Sequence, residues 1–187
     1  MNEMIAVLIP IKSFNEAKGR LSETLDKSER SALMQKMAET VISSSGSLSI
    51  WIVCDDEEVA TWAESKNVSV IKVEKPGLNN AVEKGVRTLE EAGYSQVIVA
   101  HADLPNADDL EKCANFNGVT IVQDHKGDGT PVLVVPTGKG FRFSYGPNSF
   151  AVHTLEAQRL GIPYRQLFDS KLSFDVDEPE DLKFIDD

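Results

Sequence analysis

A chain of 187 residues with 41% hydrophobic residues carries enough apolar material for one sizeable core, and a chain of this length buries roughly 70% of its unfolded surface without a metal or disulfide staple. A net charge of −11 argues against nucleic-acid binding, so an anionic ligand has to meet a cation or a local basic pocket. Two isolated cysteines, no apolar run of membrane-spanning length, and an apolar start running straight into Lys12 argue against a disulfide scaffold, a membrane protein and a signal peptide, and predict a cytoplasmic chain.

In chain order, residues 4–11 read as a buried strand. The spacing of Leu33, Met34, Met37, Ala38 and Val41 predicts a helix over 28–43, with Ser28 as its cap. A strand over 48–54 ends at Asp55 and Asp56, with Cys54 as a buried small hydrophobe. A short helix over 57–66 turns Val59, Ala60 and Ala63 inward, and a third strand covers 68–73. Gly77 breaks the chain, and Asn79 or Asn80 opens a helix reaching about 92, with Ala81, Val82, Val86 and Leu89 inward. Residues 96–102 are so apolar that they predict a central strand. A helix over 108–116 follows, then strands over 119–123 and 131–136 joined by a turn. A helix over 148–160 closes at Gly161, a short strand covers 164–168, and a last helical turn over 181–185 follows Pro179.

The alternation of strands and helices predicts the α/β class: one three-layer domain over 1–187, with a mostly parallel sheet, a mixed edge and helices on both sides. No linker, repeat or low-complexity segment divides it.

Ligands of open α/β sheets bind at the carboxyl ends of the strands, so polar residues just after strands carry the functional weight. After the first strand, Lys12, Lys18 and Arg20 put three cations within nine residues. They suit nucleotide phosphates, Arg as a planar fork and Lys as a point charge, or else form a solvated turn. The loop is neither a Walker A sequence nor a dinucleotide fingerprint. In the segment from Glu74 to Ala81, Gly77 permits a sharp approach to a helix N-terminus, and asparagine can cap that helix or read a base edge. A plain capped helix accounts for the same residues.

Asp103 follows the most apolar strand, where a carboxylate must be solvated or paired. Mg²⁺ is one natural partner, because it takes hard oxygens from one or two protein carboxylates alongside phosphates. His101 is read as facing a neighbouring element. Asp175 and Asp177 stand two apart, so on an extended chain they share a side. Near Asp103 they would repel unless a cation sat among them, although a solvated acidic turn is the simpler alternative. Glu178, Glu180 and Asp181 fit the first turn of the last helix, where acids are favourable.

Two further loops stand out. Gly127-Asp128-Gly129-Thr130-Pro131 is a flexible polar entry to a strand, and Phe143 to Phe150 leads into a helix. Asn148 or Ser149 can cap that helix, its free N–H groups can hold a phosphate or carboxylate, and Thr130 and Ser149 add hydroxyl donors. A turn followed by an ordinary capped helix is the alternative, with His153 either bracing the helix or touching substrate. No nucleophile with a paired base is visible, which suits direct transfer by positioning and charge neutralisation.

The segments IPIKSFNEAKGRL, PGLNNA, ADLP, GDGTP, FSYGPNSFAVH and SFDVDEPEDL, in this order and across nearly the full chain, resemble the 2-phospho-L-lactate or phosphoenolpyruvate guanylyltransferases of coenzyme F420 biosynthesis. The resemblance implies a compact nucleotidyltransferase fold of the nucleotide-diphospho-sugar-transferase type, with GTP as co-substrate and Mg²⁺ as cofactor. It assigns Lys12, Lys18 and Arg20 to the triphosphate, with Asp103 beside them as catalytic groups. Gly77, Leu78 and Asn79 join Lys12 in nucleotide binding. Asp103, Asp175 and Asp177 become the metal carboxylates. Thr130, Gly146 and Ser149 hold the acceptor's carboxylate and phosphate.

One departure is Pro131, where the family often has asparagine; proline removes a backbone donor and the amide. The implied reaction is attack by an acceptor phosphate oxygen on the α-phosphorus of GTP, with phosphoenolpyruvate as the expected acceptor. 2-Phospho-L-lactate and 3-phosphoglycerate stay open, as do another nucleotidyltransferase of this fold and a non-enzymatic GTP-binding protein. Either a monomer or a homodimer fits the pattern.

Overall fold

The computed structural model describes residues 4–16 and 18–185; Ala17, in the first cationic loop, lies outside them. Seven strands form one sheet: β1 (Ile5–Pro10), β2 (Ser49–Cys54), β3 (Ser69–Lys72), β4 (Gln96–Ala100), β5 (Val119–Val122), β6 (Val132–Pro136) and β7 (Tyr164–Gln166). The helices are α1 (Lys27–Ser44), α2 (Glu57–Ser65), α3 (Leu78–Glu91) and α4 (Ser149–Arg159). Strand order is β3-β2-β1-β4-β6-β5-β7, which puts the wholly buried β4 in the middle, as its apolar run predicts.

The strands alternate their faces because side chains repeat every two residues. Val7, Ile9, Ile52, Ile98 and Val134 face one core with Met34, Met37, Val41 and Val59. Ala6, Leu8, Val97, Val99 and Leu133 face the other with Val82, Val86, Leu89 and Ala157. Helices α1 and α2 therefore cover one side of the sheet and α3 and α4 the other, giving the expected three layers. No helix among the described residues is long and apolar enough to cross a membrane.

Four expectations need correction. The reversed strand is internal: β6 pairs antiparallel with both β4 and β5, while β7 at the edge runs parallel to β5. Helix α1 is capped by Asp26, not Ser28, through a capping box in which Asp26 and Glu29 each accept the other's backbone N–H. The expected helix over 108–116 shrinks to a 3₁₀ turn, Glu111–Ala114, because the Leu110 N–H donates to the Ser44 carbonyl of α1 and not to its own turn. The last helical piece starts earlier, at Pro179–Phe184, since proline is pre-shaped for a first helical position and Glu178 with Asp181 closes a second capping box.

Candidate active site

The carboxyl ends of β1, β2, β3 and β4 open onto a cleft of about 660 Å³. Lys12, Lys18 and Arg20 line it from the loop after β1, Gly77 and Leu78 from the start of α3, and His101 and Asp103 from the end of β4. Asp177 joins from the far end of the chain. The loop after β1 tightens into a 3₁₀ turn at Gly19–Glu23, and Lys18 enters it in the left-handed conformation, with φ of 55°. That turn aims the Lys18 side chain inward while Lys12 and Arg20 stay exposed. The Lys12 ammonium pairs with Glu16 at 3.2 Å.

Lys18 is the centre of the site's electrostatics. Its Nζ donates to Asp103 Oδ2 at 2.5 Å and to Asp177 Oδ1 at 3.0 Å. Burial by itself would lower the lysine pKa, but Asp103 and Asp177 outweigh it and hold the ammonium above the ordinary lysine range. Asp177 is the mirror case: burial would raise its carboxyl, and Lys18 brings it below the usual range.

Asp175 has no lysine or arginine partner among the described residues. Burial, then Asp103 and Asp177, push it up to about 6. One oxygen each from Asp103, Asp175 and Asp177 lies within 4.8 Å of the others. Among the described residues, Asp103 Oδ1 and Asp175 Oδ1 are buried and accept no hydrogen bond, although His125 Nδ1 approaches the latter to 3.3 Å. Two unsatisfied hard oxygens among three clustered carboxylates are a donor set that fits Mg²⁺.

Local backbone contacts explain why Asp175 and Asp177 reach β4. The Val176 N–H donates to the Asp103 carbonyl, splicing the acidic segment onto the strand end, and the apolar Val176 side chain is fully buried. Asp181 Oδ2 accepts from the N–H groups of both Asp177 and Glu178 at 2.8 Å. The sequence reading gave Asp181 to a helix start and missed this second task, although the spacing of the capping box was visible. It also missed Lys126, whose Nζ lies 3.7 Å from Asp177 Oδ2.

At α3 the expected asparagine cap is absent. Gly77 is the N-cap, with φ of 118°, a conformation that side-chain-bearing residues rarely adopt. Asn79 spends both ends of its amide on one residue: Oδ1 accepts the Tyr145 N–H at 2.7 Å and Nδ2 donates to the Tyr145 carbonyl at 3.2 Å. It clamps the 143–148 loop at Tyr145.

Thr130, Gly146 and Ser149 do not line the cleft. Thr130 and Ser149 instead meet in a buried cluster, their hydroxyl oxygens 3.1 Å apart, with His153 Nδ1 3.2 Å from Thr130 Oγ1. The first N–H groups of α4 are not free as expected, since Ser149 donates to the Gly146 carbonyl and Phe150 to the Asp128 carbonyl. Asn148 sits at the N-cap with no side-chain cap bond.

The two regions connect through Tyr145, whose ring lies 5.1 Å from His101 and 4.8 Å from His153. His101 does face a neighbouring element, and burial lowers its pKa, so the ring is neutral. Pro131 is compatible with the fold because its carbonyl, the group it retains, accepts the His101 N–H at 2.9 Å.

The family described as "Guanylyl transferase CofC like" matches residues 5–185. The 2-phospho-L-lactate guanylyltransferase of Methanocaldococcus jannaschii is 33% identical over 183 residues, covering 94% of this chain and 80% of that protein. The phosphoenolpyruvate guanylyltransferase of Rubrobacter xylanophilus is 30% identical over 187 residues, covering 95% and 91%. A solved chain from Desulfovibrio desulfuricans G20, described as a nucleotide-diphospho-sugar transferase, superposes with a TM-score of 0.79 at 15% identity, covering 96% of this chain and 85% of its own; it shares the fold. With a family match running from the first strand to the last helical turn, this chain belongs to the CofC-like guanylyl transferases.

Proposed function

We propose that this chain, acting as one catalytic domain over residues 1–187 in the cytoplasm, transfers GMP from GTP to the phosphate of phosphoenolpyruvate in coenzyme F420 biosynthesis. An acceptor phosphate oxygen attacks the α-phosphorus of GTP, one P–O bond forms, the bond to the β-phosphate oxygen breaks, and diphosphate leaves. The observation that carries the reading is the cluster of Asp103, Asp175 and Asp177 around Lys18 at the floor of a cleft rimmed by Lys12 and Arg20.

Asp103, Asp175 and Asp177 would hold Mg²⁺, which when bound neutralises the reacting phosphates. Lys18 meets the triphosphate from the same floor, and Lys12 and Arg20 meet the leaving diphosphate from the rim. The backbone at Gly77 and Leu78 takes the guanine side. Thr130, Gly146 and Ser149 take the acceptor's carboxylate and phosphate. No general base is needed, because a phosphate monoester is already ionised near neutral pH. Cys54 lines the cleft, but burial raises its thiol pKa, so it supplies no thiolate nucleophile.

The relatives include enzymes named for 2-phospho-L-lactate and for phosphoenolpyruvate, which makes 2-phospho-L-lactate the second acceptor to test. Diphosphate release is measured with GTP, Mg²⁺ and, in turn, phosphoenolpyruvate, 2-phospho-L-lactate and 3-phosphoglycerate. Phosphoenolpyruvate is expected to give the highest kcat/KM, and absence of release with all three would sink the reading. Asp103→Asn is expected to lower turnover by about 100-fold or more with the fold retained, since even outer partners of metal ligands cost roughly 10–100-fold.

A further inference from the structure

Deep to Ser149 runs a line of hydrogen bonds that the transfer reaction does not by itself require. The Ser144 N–H donates to His153 Nε2 at 3.0 Å. A backbone N–H can only donate, so Nε2 carries a lone pair. His153 is fully buried, with the Tyr145 ring edge-on at 4.8 Å and the Phe141 ring at 6.0 Å. Burial first, and the neighbouring His101 next, lower its pKa to about 4, so the ring is neutral and its one proton sits on Nδ1.

The direction of the next bond is then set. Nδ1–H donates to Thr130 Oγ1 at 3.2 Å. The Thr130 hydroxyl, accepting there, still has its own hydrogen to give, and Ser149 Oγ lies within reach at 3.1 Å. A Ser149 oxygen that accepts this hydrogen has its own left to give. Thr130 and Ser149 are each 2% exposed. With so little of either residue exposed, the direction in which the Ser149 hydroxyl points decides whether it attracts or repels an anion.

We infer that His153 is a positioning residue for the phosphorylated acceptor, holding the Ser149 hydroxyl as a hydrogen-bond donor through Thr130. The inference rests on the proposed acceptor role of Thr130 and Ser149. A phosphate or carboxylate oxygen only accepts, so a serine free to turn its lone pairs outward would bind it poorly. A hydroxyl whose oxygen is already satisfied meets the anion without reorganising, and in a dry cluster that preorganisation counts for more than in water. Bracing α4 alone would need neither the bond to Thr130 nor a fixed tautomer.

Two substitutions divide the two ring nitrogens. In His153→Gln the amide reaches the Nε2 position and can still accept from Ser144, but the donor to Thr130 is lost. In His153→Asn the amide N–H₂ lies near the Nδ1 position and can still donate to Thr130, while the Ser144 bond is lost. The expected result is about a tenfold rise in acceptor KM for His153→Gln, the effect of roughly one hydrogen bond, with kcat and GTP KM within about twofold. His153→Asn is expected to recover most of that loss although it melts lower.

Equal acceptor KM values for the two variants, or a parallel rise in GTP KM, would overturn the assignment. A measurement on the unaltered protein does not depend on either variant folding: nitrogen-detected NMR of the histidine rings, of which the chain has three, should show His153 protonated at Nδ1, and an Nε2–H tautomer refutes the chain of donors. Ser149→Ala separates the two levels. If it leaves acceptor KM unchanged, the acceptor site itself is misplaced; if it raises acceptor KM while His153→Gln does not, the site stands and the role of His153 falls.

Discussion

Replacing Asp175 by asparagine should make the metal-free protein more stable while removing one of the three carboxylates proposed to hold Mg²⁺. The Asp175 carboxyl moves from an ordinary value of 3.8 to about 6, through burial first and through Asp103 and Asp177 next. A raised carboxyl pKa means the fold binds the proton more tightly than the unfolded chain does. That stabilisation is fully present below about pH 4 and is lost as the pH rises through 6; at pH 8 the ionised group carries the whole cost.

Roughly two units at about 1.36 kcal/mol each give about 3 kcal/mol as the upper end. The side chain is 15% exposed, so solvent screens little of it. Asparagine keeps the shape and has no charge to bury. In urea denaturation with a chelator present, Asp175→Asn should therefore exceed the unaltered protein by about 1–3 kcal/mol at pH 8, with the gap closing near pH 4. Added Mg²⁺ should reverse the order, because it stabilises only a fold that binds it. A variant that is less stable at pH 8, or a gap that does not change with pH, would refute the account of a strained, cation-seeking carboxylate.

Lys18→Met removes the counter-charge of Asp103 and Asp177, a largely buried arrangement, and should cost the metal-free protein about 3 kcal/mol at neutral pH. Thermal melts with and without Mg²⁺ check this, and the metal should recover much of the loss. Ser149→Ala should raise acceptor KM about tenfold with GTP KM within twofold, the cost of roughly one hydrogen bond to a charged group; equal effects on both substrates would contradict the acceptor assignment. Asp181→Ala frees the N–H groups of Asp177 and Glu178 and should cost about 1–3 kcal/mol. It should also raise the Mg²⁺ concentration needed for half-maximal diphosphate release, and an unchanged Mg²⁺ requirement would confine Asp181 to capping.

The sheet was legible because its signal is local. A run such as Val97-Ile98-Val99-Ala100 is apolar on both faces, and its short length and β-branched residues mark it as a strand covered on both sides. Where reading the chain failed, the deciding contact came from far away in sequence. Leu110 has the neighbours of a helix residue, yet its N–H goes to Ser44 across the core, and the helix over 108–116 does not form. The two strands of residues 119–136 show their turn plainly, but nothing local says that β6 slots between β4 and β5 and not onto an edge. At α1 the fault lay in the reading: Asp26 and Glu29 have the spacing of a capping box, a stronger signal than Ser28 alone.

The site divides in the same way. Asp175 and Asp177 share a side because an extended chain repeats every two residues, and strand ends are where an α/β sheet binds its ligands. Asn79 was assigned from the chemistry its amide can do, whereas the fold had committed both ends of that amide to Tyr145. Lys18 is the instructive case. Charge and position gave it to the triphosphate, and the structure gives it to Asp103 and Asp177. The two assignments do not compete for the same hydrogens: a lysine ammonium has three donors, and the carboxylates take two. On the proposed reaction the third would go to a phosphate oxygen. A lysine so placed favours the charged form of Asp177, as a bound cation would, and it leaves Asp175, the carboxylate it does not reach, as the one whose charge burial and its acidic neighbours penalise.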